Sequence, residues 1–397
     1  MALTQPAALP GEWTFWCDTI IGGIPLGPVT ATAFTAQCLL SGFGTGSVTL
    51  PSGSPALPPD TLLALWTWRL WAFYEGLPVW GGVPNGIVDQ AAGVVTLTLT
   101  ELPGYLSKRV IDTVGGLSYT QAEQVDIMAD LAAPLADVGV QVIADPGAGY
   151  LRDAAFDYLS STARDQLLVT FSQQLSAPEF RTEYAMVGGR PVCTLRIAYP
   201  RVGSDTGLGL TVPGNATAYQ GTWDSDRLRT RTYATGAVPA GAADGTPAPV
   251  VIVDQPQPGR PRLDAVDDYQ DTSLIATLTS RANTAAAQYA SPAVSLTGTI
   301  PASRPAAGTY LAGDDVTVNV TDPVLPGGLV TTGRIIEIDY DAAAGTAALT
   351  AATMSPPPRP RDTLAARLWD GNVVMAALSH RNLAPVAPQN TDKPGGT

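Results

Sequence analysis

Histidine occurs once in the 397 residues, at His380 beside Arg381. A Ser-His-Asp triad, a Cys-His dyad or a two-histidine zinc site would each have to use it. Its place near the end of a stretch with helical periodicity suits a helix C-cap better. Carboxylate pairs need no histidine, because a glycosidase works with two acids facing a cleft. Asp224 and Asp226, in Trp223-Asp224-Ser225-Asp226, are the candidates, with Trp223 able to line a sugar site. The D-x-D spacing also suits a metal-bound nucleotide-sugar, while a turn beside a strand accounts for the same residues without chemistry. Asp264, Asp267, Asp268 and Asp271 lack the central Gly and closing Glu of a calcium loop and read as a solvated acidic entry to a helix. Cys17, Cys38 and Cys193 show no CxxC spacing and read as buried free thiols. Ser41-Gly-Phe-Gly-Thr-Gly-Ser47 lacks the Lys-Ser/Thr ending of a phosphate loop and reads as a flexible strand connection. The expectation is a protein with no catalytic residues, no bound metal and no cofactor.

Composition narrows the class further. Hydrophobic residues make up 45% and charged residues 14%, with 40 Gly and 35 Pro, so a folded chain of short strands and many turns is expected. The length allows about two to four domains. So few charges suggest that part of the surface is covered in an assembly. The net charge of -13 excludes stable nucleic-acid binding, which needs basic groups to displace phosphate counterions. It would suit the lining of a channel through which DNA passes without adhering. No secretory leader is evident at the N-terminus, and no stretch of about 20 apolar residues could span a bilayer. A reducing cytoplasm is the expected place of synthesis.

The elements that must position everything else lie between Leu65 and Ile111. Trp66, Trp68, Leu70, Ala72 and Tyr74 alternate with Thr67, Arg69, Trp71 and Phe73, which is strand period. Glu75-Gly76 turns the chain into a returning strand over Leu77–Val83 that carries Trp80. Pro84-Asn85-Gly86 predicts a further turn, and VVTLTLT a further alternating strand. Large apolar groups on both faces of the first strand imply a small closed barrel whose outer face is also covered, by a neighbouring subunit. Thr120 and Glu123 form a capping box for a helix carrying Val125, Met128, Ala129, Leu131 and Leu135. A second helix capped by Ser160 or Ser161, and a hairpin about Val187–Arg190, complete an α/β unit. Strands return from Leu208 to Val253, a helix covers about Thr272–Tyr289, and Ser295–Met354 is again β. Asp89–Thr98 and Asp341–Thr350 share the pattern D-x-A-A-G-x-x-x-L-T, a possible echo between the two β blocks. MSPPPRPR is a stiff linker, and Asp362–Arg381 suits a terminal helix.

This succession resembles a known family. Val79-Trp-Gly-Gly82 after the Glu-Gly turn comes first, followed by Gly104-Tyr-Leu-Ser-Lys-Arg109. The two-helix unit, the W-x-x-D stretch and a helix before Gly313-Asp-Asp-Val-Thr-Val318 come next. The order is similar to that of minor tail proteins of the distal tail hub in actinobacterial siphophages, and in plan to baseplate hub proteins of contractile tails. The resemblance implies a β-rich α+β fold of two small β-barrel domains with an inserted α/β unit. Its divisions are residues 1–113, a barrel; 114–202, the insertion; 203–262, strands and a surface loop; 263–354, a helix and the second barrel; and 355–397, linker and tail. It further implies a virion structural protein of the tail tip, forming a homotrimeric ring that joins the sixfold tube to the tip and bounds the DNA ejection channel. Its partners would be itself, the distal tail ring, tip or fibre proteins and the tape measure protein. No peptidase or lysozyme module is evident after the second β block. Trp66, Trp68, Trp71, Phe73 and Trp80 are then the structural residues, as barrel core and intersubunit packing. Two other readings stand beside it: a carbohydrate-binding or hydrolysing tail component using Trp223, Asp224 and Asp226, and a distal tail or fibre-base subunit.

Overall fold

The computed structural model describes residues 13–51, 57–91, 94–147, 149–172, 177–226, 228–239, 241, 243, 245–269, 272–303, 306–322 and 325–353. His380, Asp271, the Pro-rich linker and the expected terminal helix lie outside the described residues.

The chain begins with β1 (Trp13–Thr19), β2 (Pro25–Val29), β3 (Ala33–Leu39), β4 (Thr45–Pro51), a short α1 (Pro59–Leu63), β5 (Trp68–Tyr74), β6 (Leu77–Ala91) and β7 (Val94–Glu101). After a 3-10 turn over Leu102–Lys108 come β8 (Leu117–Glu123), α2 (Gln124–Ala132), β9 (Gln141–Ala144), β10 (Leu151–Phe156), α3 (Arg164–Ser172), β11 (Glu179–Val187) and β12 (Arg190–Ala198). The second half holds β13 (Asp205–Val212), β14 (Ala218–Asp224), β15 (Arg231–Gly236), β16 (Val250–Asp254), β17 (Asp264–Tyr269), α4 (Ile275–Gln288), β18 (Ala293–Pro301), β19 (Asp315–Asp322), β20 (Leu325–Asp341) and β21 (Thr346–Thr353).

One 13-stranded sheet joins both halves, in the order β14-β18-β21-β20-β3-β4-β7-β6-β5-β1-β2, with β19 also on β20 and β13 on β19. The ladder between the halves is β20 against β3, antiparallel, from Glu337–Leu39 to Asp341–Thr35. This corrects the expectation of two closed barrels: among the described strands no pairing closes either block, and a single apolar cluster runs beneath both. That cluster brings Trp13, Phe34, Trp68 and Trp80 together with Ile335, Ile338, Tyr340 and Leu349. Sheet closure was inferred from the doubly apolar strand β5. Its second face is instead covered by the chain's own α/β unit, in a cluster where Trp71 and Phe73 meet Val125, Met128, Leu131 and Phe180.

That unit, between β7 and β13, carries a three-stranded sheet β11-β12-β9 and a two-stranded sheet β10-β8. Residues 119–123, read from sequence as the first turn of a helix, belong to strand β8, paired from Leu117–Phe156 to Glu123–Leu151. The helix therefore starts at Gln124 with no side-chain cap. Tertiary pairing overrides the local capping signal: Asp153 Oδ1 accepts the Gln121 N–H at 2.7 Å, holding the strand across a bulge.

Two further turns read from sequence are absorbed into strands. Pro84-Asn85-Gly86 is an irregularity inside β6, which continues to Ala91. The acidic run at 264–269 is β17 rather than a helix entry, lying parallel to β15. Its carboxylates have partners: Arg262 reaches Asp264 at 2.8 Å, Arg229 reaches Asp267 at 2.6 Å, and Thr235 donates to Asp268 at 2.8 Å. A division at 262/263 falls between β16 and β17, strands of one sheet in the order β16-β15-β17, with α4 packed on β15 and β16. The two D-x-A-A-G segments both form hairpins, β6–β7 and β20–β21. Their last pairs, Ala91–Val94 and Asp341–Thr346, differ by two residues of register in the aligned pattern.

Candidate functional site

The aromatic residues picked out by the sequence divide between two interiors. Trp68 and Trp80 are buried in the cluster inside the sheet, and Trp71 and Phe73 in the cluster on its other side. Trp66 does not follow the alternation, because β5 begins only at Trp68 and Trp66 has φ of 63°. It lies half-buried against Tyr105, with Lys108 Nζ 5.7 Å from its ring. The large rings need glycine beside them. A Cβ on Gly82 would lie 2.1 Å from the Trp80 ring and one on Gly81 2.8 Å from the Trp71 ring. The Val79-Trp-Gly-Gly82 motif is thus a packing motif. The burial of these side chains, Trp66 excepted, is completed within one chain.

Polar side chains bolt the α/β unit onto the sheet. Arg69 forms a two-pronged pair with Asp18, at 2.7 and 3.0 Å, and donates to the Val138 carbonyl at 3.0 Å. Trp71 Nε1 donates to the same Asp18 at 3.0 Å. Glu101, at the end of β7, accepts from Gly44 N–H at 2.9 Å and from the Tyr184 hydroxyl of β11 at 2.9 Å. Burial pushes its carboxyl up to about 7, against the lowering effect of those donors.

A second set of pairs ties the unit to the other half. Arg334 on β20 is buried and two-pronged on Glu179 of β11, at 2.7 and 2.6 Å, and also donates to the Gly313 and Val202 carbonyls. Arg181 meets Asp314 at 2.8 Å, and Arg201 grips both oxygens of Asp315 at 2.9 and 2.8 Å. The acidic pair of the Gly313–Val318 motif is therefore the receptor for two arginines of the α/β unit. Arg334 and Glu179, 155 positions apart, carry no pattern that sequence reasoning could have found.

The sugar-site candidates are not drawn together in this way. Asp224 closes β14 and accepts the Asp226 N–H at 2.8 Å, a local turn. Trp223 is 51% exposed. The cysteines are free thiols, and burial pushes the Cys17 and Cys193 thiols up. Among the described residues no group of three or more His, Cys, Asp or Glu side chains could hold a metal ion, and no helix is long and apolar enough to cross a membrane.

Comparison with solved structures decides the fold. The 43 kDa tail protein of prophage MuSo2 from Shewanella oneidensis superposes with a TM-score of 0.60 at 14% identity, over 88% of this chain and 99% of its own. The chain has a phage tail protein fold. A tail protein from Neisseria meningitidis gives 0.55 at 13% identity, over 88% of this chain and 98% of its own. Prophage tail protein gp18 from Listeria monocytogenes gives 0.54 at 10% identity, over 92% and 98%. No protein-family model matches the sequence, and no curated protein matches it. The likeness extends over most of the chain, so the plan inferred from the order of short motifs holds at the level of the tail class.

Proposed function

We propose that this protein is a structural subunit of a phage-type tail: a hub whose three copies form a ring between the sixfold tube and the tail tip. The observation that carries the reading is the end-to-end likeness to tail proteins, 88% of this chain against 99% of the Shewanella prophage protein. A shared excursion or single module would not span both chains in this way. The two β blocks on one chain would let three copies present six similar units to a sixfold tube. The net charge of -13 would keep DNA phosphates from adhering to the channel that the ring bounds. The surrounding distal tail ring, tip or fibre proteins and tape measure protein are its proposed partners, and the tail tip its place. The work is mechanical, and no catalysis is assigned.

Native mass spectrometry of the purified chain, with copy counting in purified tails, tests this. Three copies per tail are expected. Six copies would favour a distal tail ring, and absence from tails would overturn the reading.

A further inference from the structure

Strands β14 and β21 both run antiparallel to β18, so they point the same way and finish at the same end of the main sheet. There Thr353 stands opposite Val294, and Val294 opposite Trp223. The last residue of β21 is therefore two strand spacings, about 10 Å, from Trp223. Tyr219, Gly221 and Trp223 share one face of β14 by the alternation of a strand. Tyr219 packs on the main apolar cluster, whereas Trp223, at the rim, is 51% exposed. Its ring lies close over Gly221, where a Cβ would sit 2.7 Å from it. Two carboxylates follow directly, half-buried Asp224 and exposed Asp226.

Beyond Thr353 the chain reads Met354-Ser355-Pro356-Pro357-Pro358-Arg359-Pro360-Arg361. Proline has no N–H for a ladder, so this stretch is unsuited to extending β21 as a paired strand. It suits the polyproline helix, which rises about 3.1 Å per residue. Met354 and Ser355 together span up to about 7 Å, enough to bring the three prolines to Trp223. Such segments bind by laying proline rings on exposed aromatic side chains, at low entropic cost because they are extended beforehand. The two arginines among the prolines match the two carboxylates beside the indole in number and in sign.

We propose that residues 356–361 of this chain fold back across the end of β18 and dock on Trp223, with the prolines against the indole and Arg359 and Arg361 toward Asp224 and Asp226. The place where β21 ends, the length of the connection and the charges on both sides all favour the chain's own segment. A connection this short holds it at an effective concentration in the millimolar range, ahead of any free partner. The latch fixes the point from which residues 362–397 depart, and its prolines cap the β14 edge against added strands. It needs only the chain itself, so it goes beyond the hub reading and does not depend on it.

Trypsin does not cut Arg359–Pro360, but it cuts Arg361–Asp362 and, further on, Arg381–Asn382. The test follows both cleavages by mass spectrometry in the purified full chain, for the parent and for Trp223→Ala, Trp223→Phe and Asp226→Lys. Docking withholds Arg361 from the protease. Cleavage after it should be several-fold faster in Trp223→Ala and Asp226→Lys and close to the parent rate in Trp223→Phe, which keeps a ring. Cleavage after Arg381 should be the same in all four. Both substituted side chains are exposed, so urea midpoints should not move. The protection should also survive about a hundredfold dilution, as an intramolecular contact must. Equal cleavage after Arg361 in the parent, Trp223→Ala and Asp226→Lys overturns the proposal. Protection lost on dilution would mean that a second copy supplies the segment, and protection present only in assembled tails that another protein covers Trp223; either result overturns it as well.

Discussion

Glu101 shows how a single buried acid can make this fold sensitive to pH. Unfolded, its carboxyl returns to about 4.5; folded, burial holds it at about 7. Between those values the native state keeps a proton that the unfolded chain has lost, so stability falls as pH rises through that window and is lost above the folded value. The loss attached to Glu101 is about 3 kcal/mol. Tyr184 can turn its hydroxyl to the Gly81 carbonyl, 3.3 Å away, and accept from a protonated Glu101. Glu101→Gln mimics that state, so urea midpoints measured from pH 5 to 8 should decline less for the variant than for the parent. Parallel declines would show that Glu101 is not the group responsible. Trp71→Ala removes a ring buried on both sides and leaves Asp18 without its indole donor. A cost of about 3–5 kcal/mol is expected, visible in urea unfolding of the isolated chain before any question of assembly arises. An unchanged midpoint would contradict the packing described here.

At the scale of elements, the strands were legible where the pattern was local and failed where partners were distant. The alternation of Trp68–Tyr74 and Val94–Glu101 is written in the sequence, and β5 and β7 follow it. The helix stripe of Val125, Met128 and Leu131 was equally plain, and all three are buried. What covers the outer face of β5 was not legible, because the covering residues come from α2 and β11, far along the chain. The start of α2 was misread for the same reason: β10 claims the residues that a capping box would use. Arg334 and Glu179 belong to this class, as a pair that only the fold assembles. Removing Arg334 leaves a buried carboxylate without its partner, so Arg334→Met should cost about 3–5 kcal/mol. The double variant R334M/E179Q should lose less than the two single losses combined, because neither charge is then stranded. Simple additivity in chemical denaturation would show that the two groups are not coupled.

For the whole molecule, the order of elements is that of a main sheet carrying two excursions. One leaves after β7 and covers the back of β5. The other, residues 225–292, leaves and returns between Asp224 and Ala293, which face each other in the β14–β18 ladder. A two-residue Asn-Gly turn could close that hairpin. Replacing 225–292 with Asn-Gly should therefore leave cooperative thermal unfolding of the main sheet, followed by circular dichroism; a broad, non-cooperative melt would mean that the excursion is part of the core.

The β20–β3 ladder has a mechanical consequence. With backbone bonds running unbroken from one block to the other, and side chains of both sharing the same interior, the polypeptide offers no flexible joint at its middle. An assembly made from it would change shape by sliding or tilting whole copies against one another.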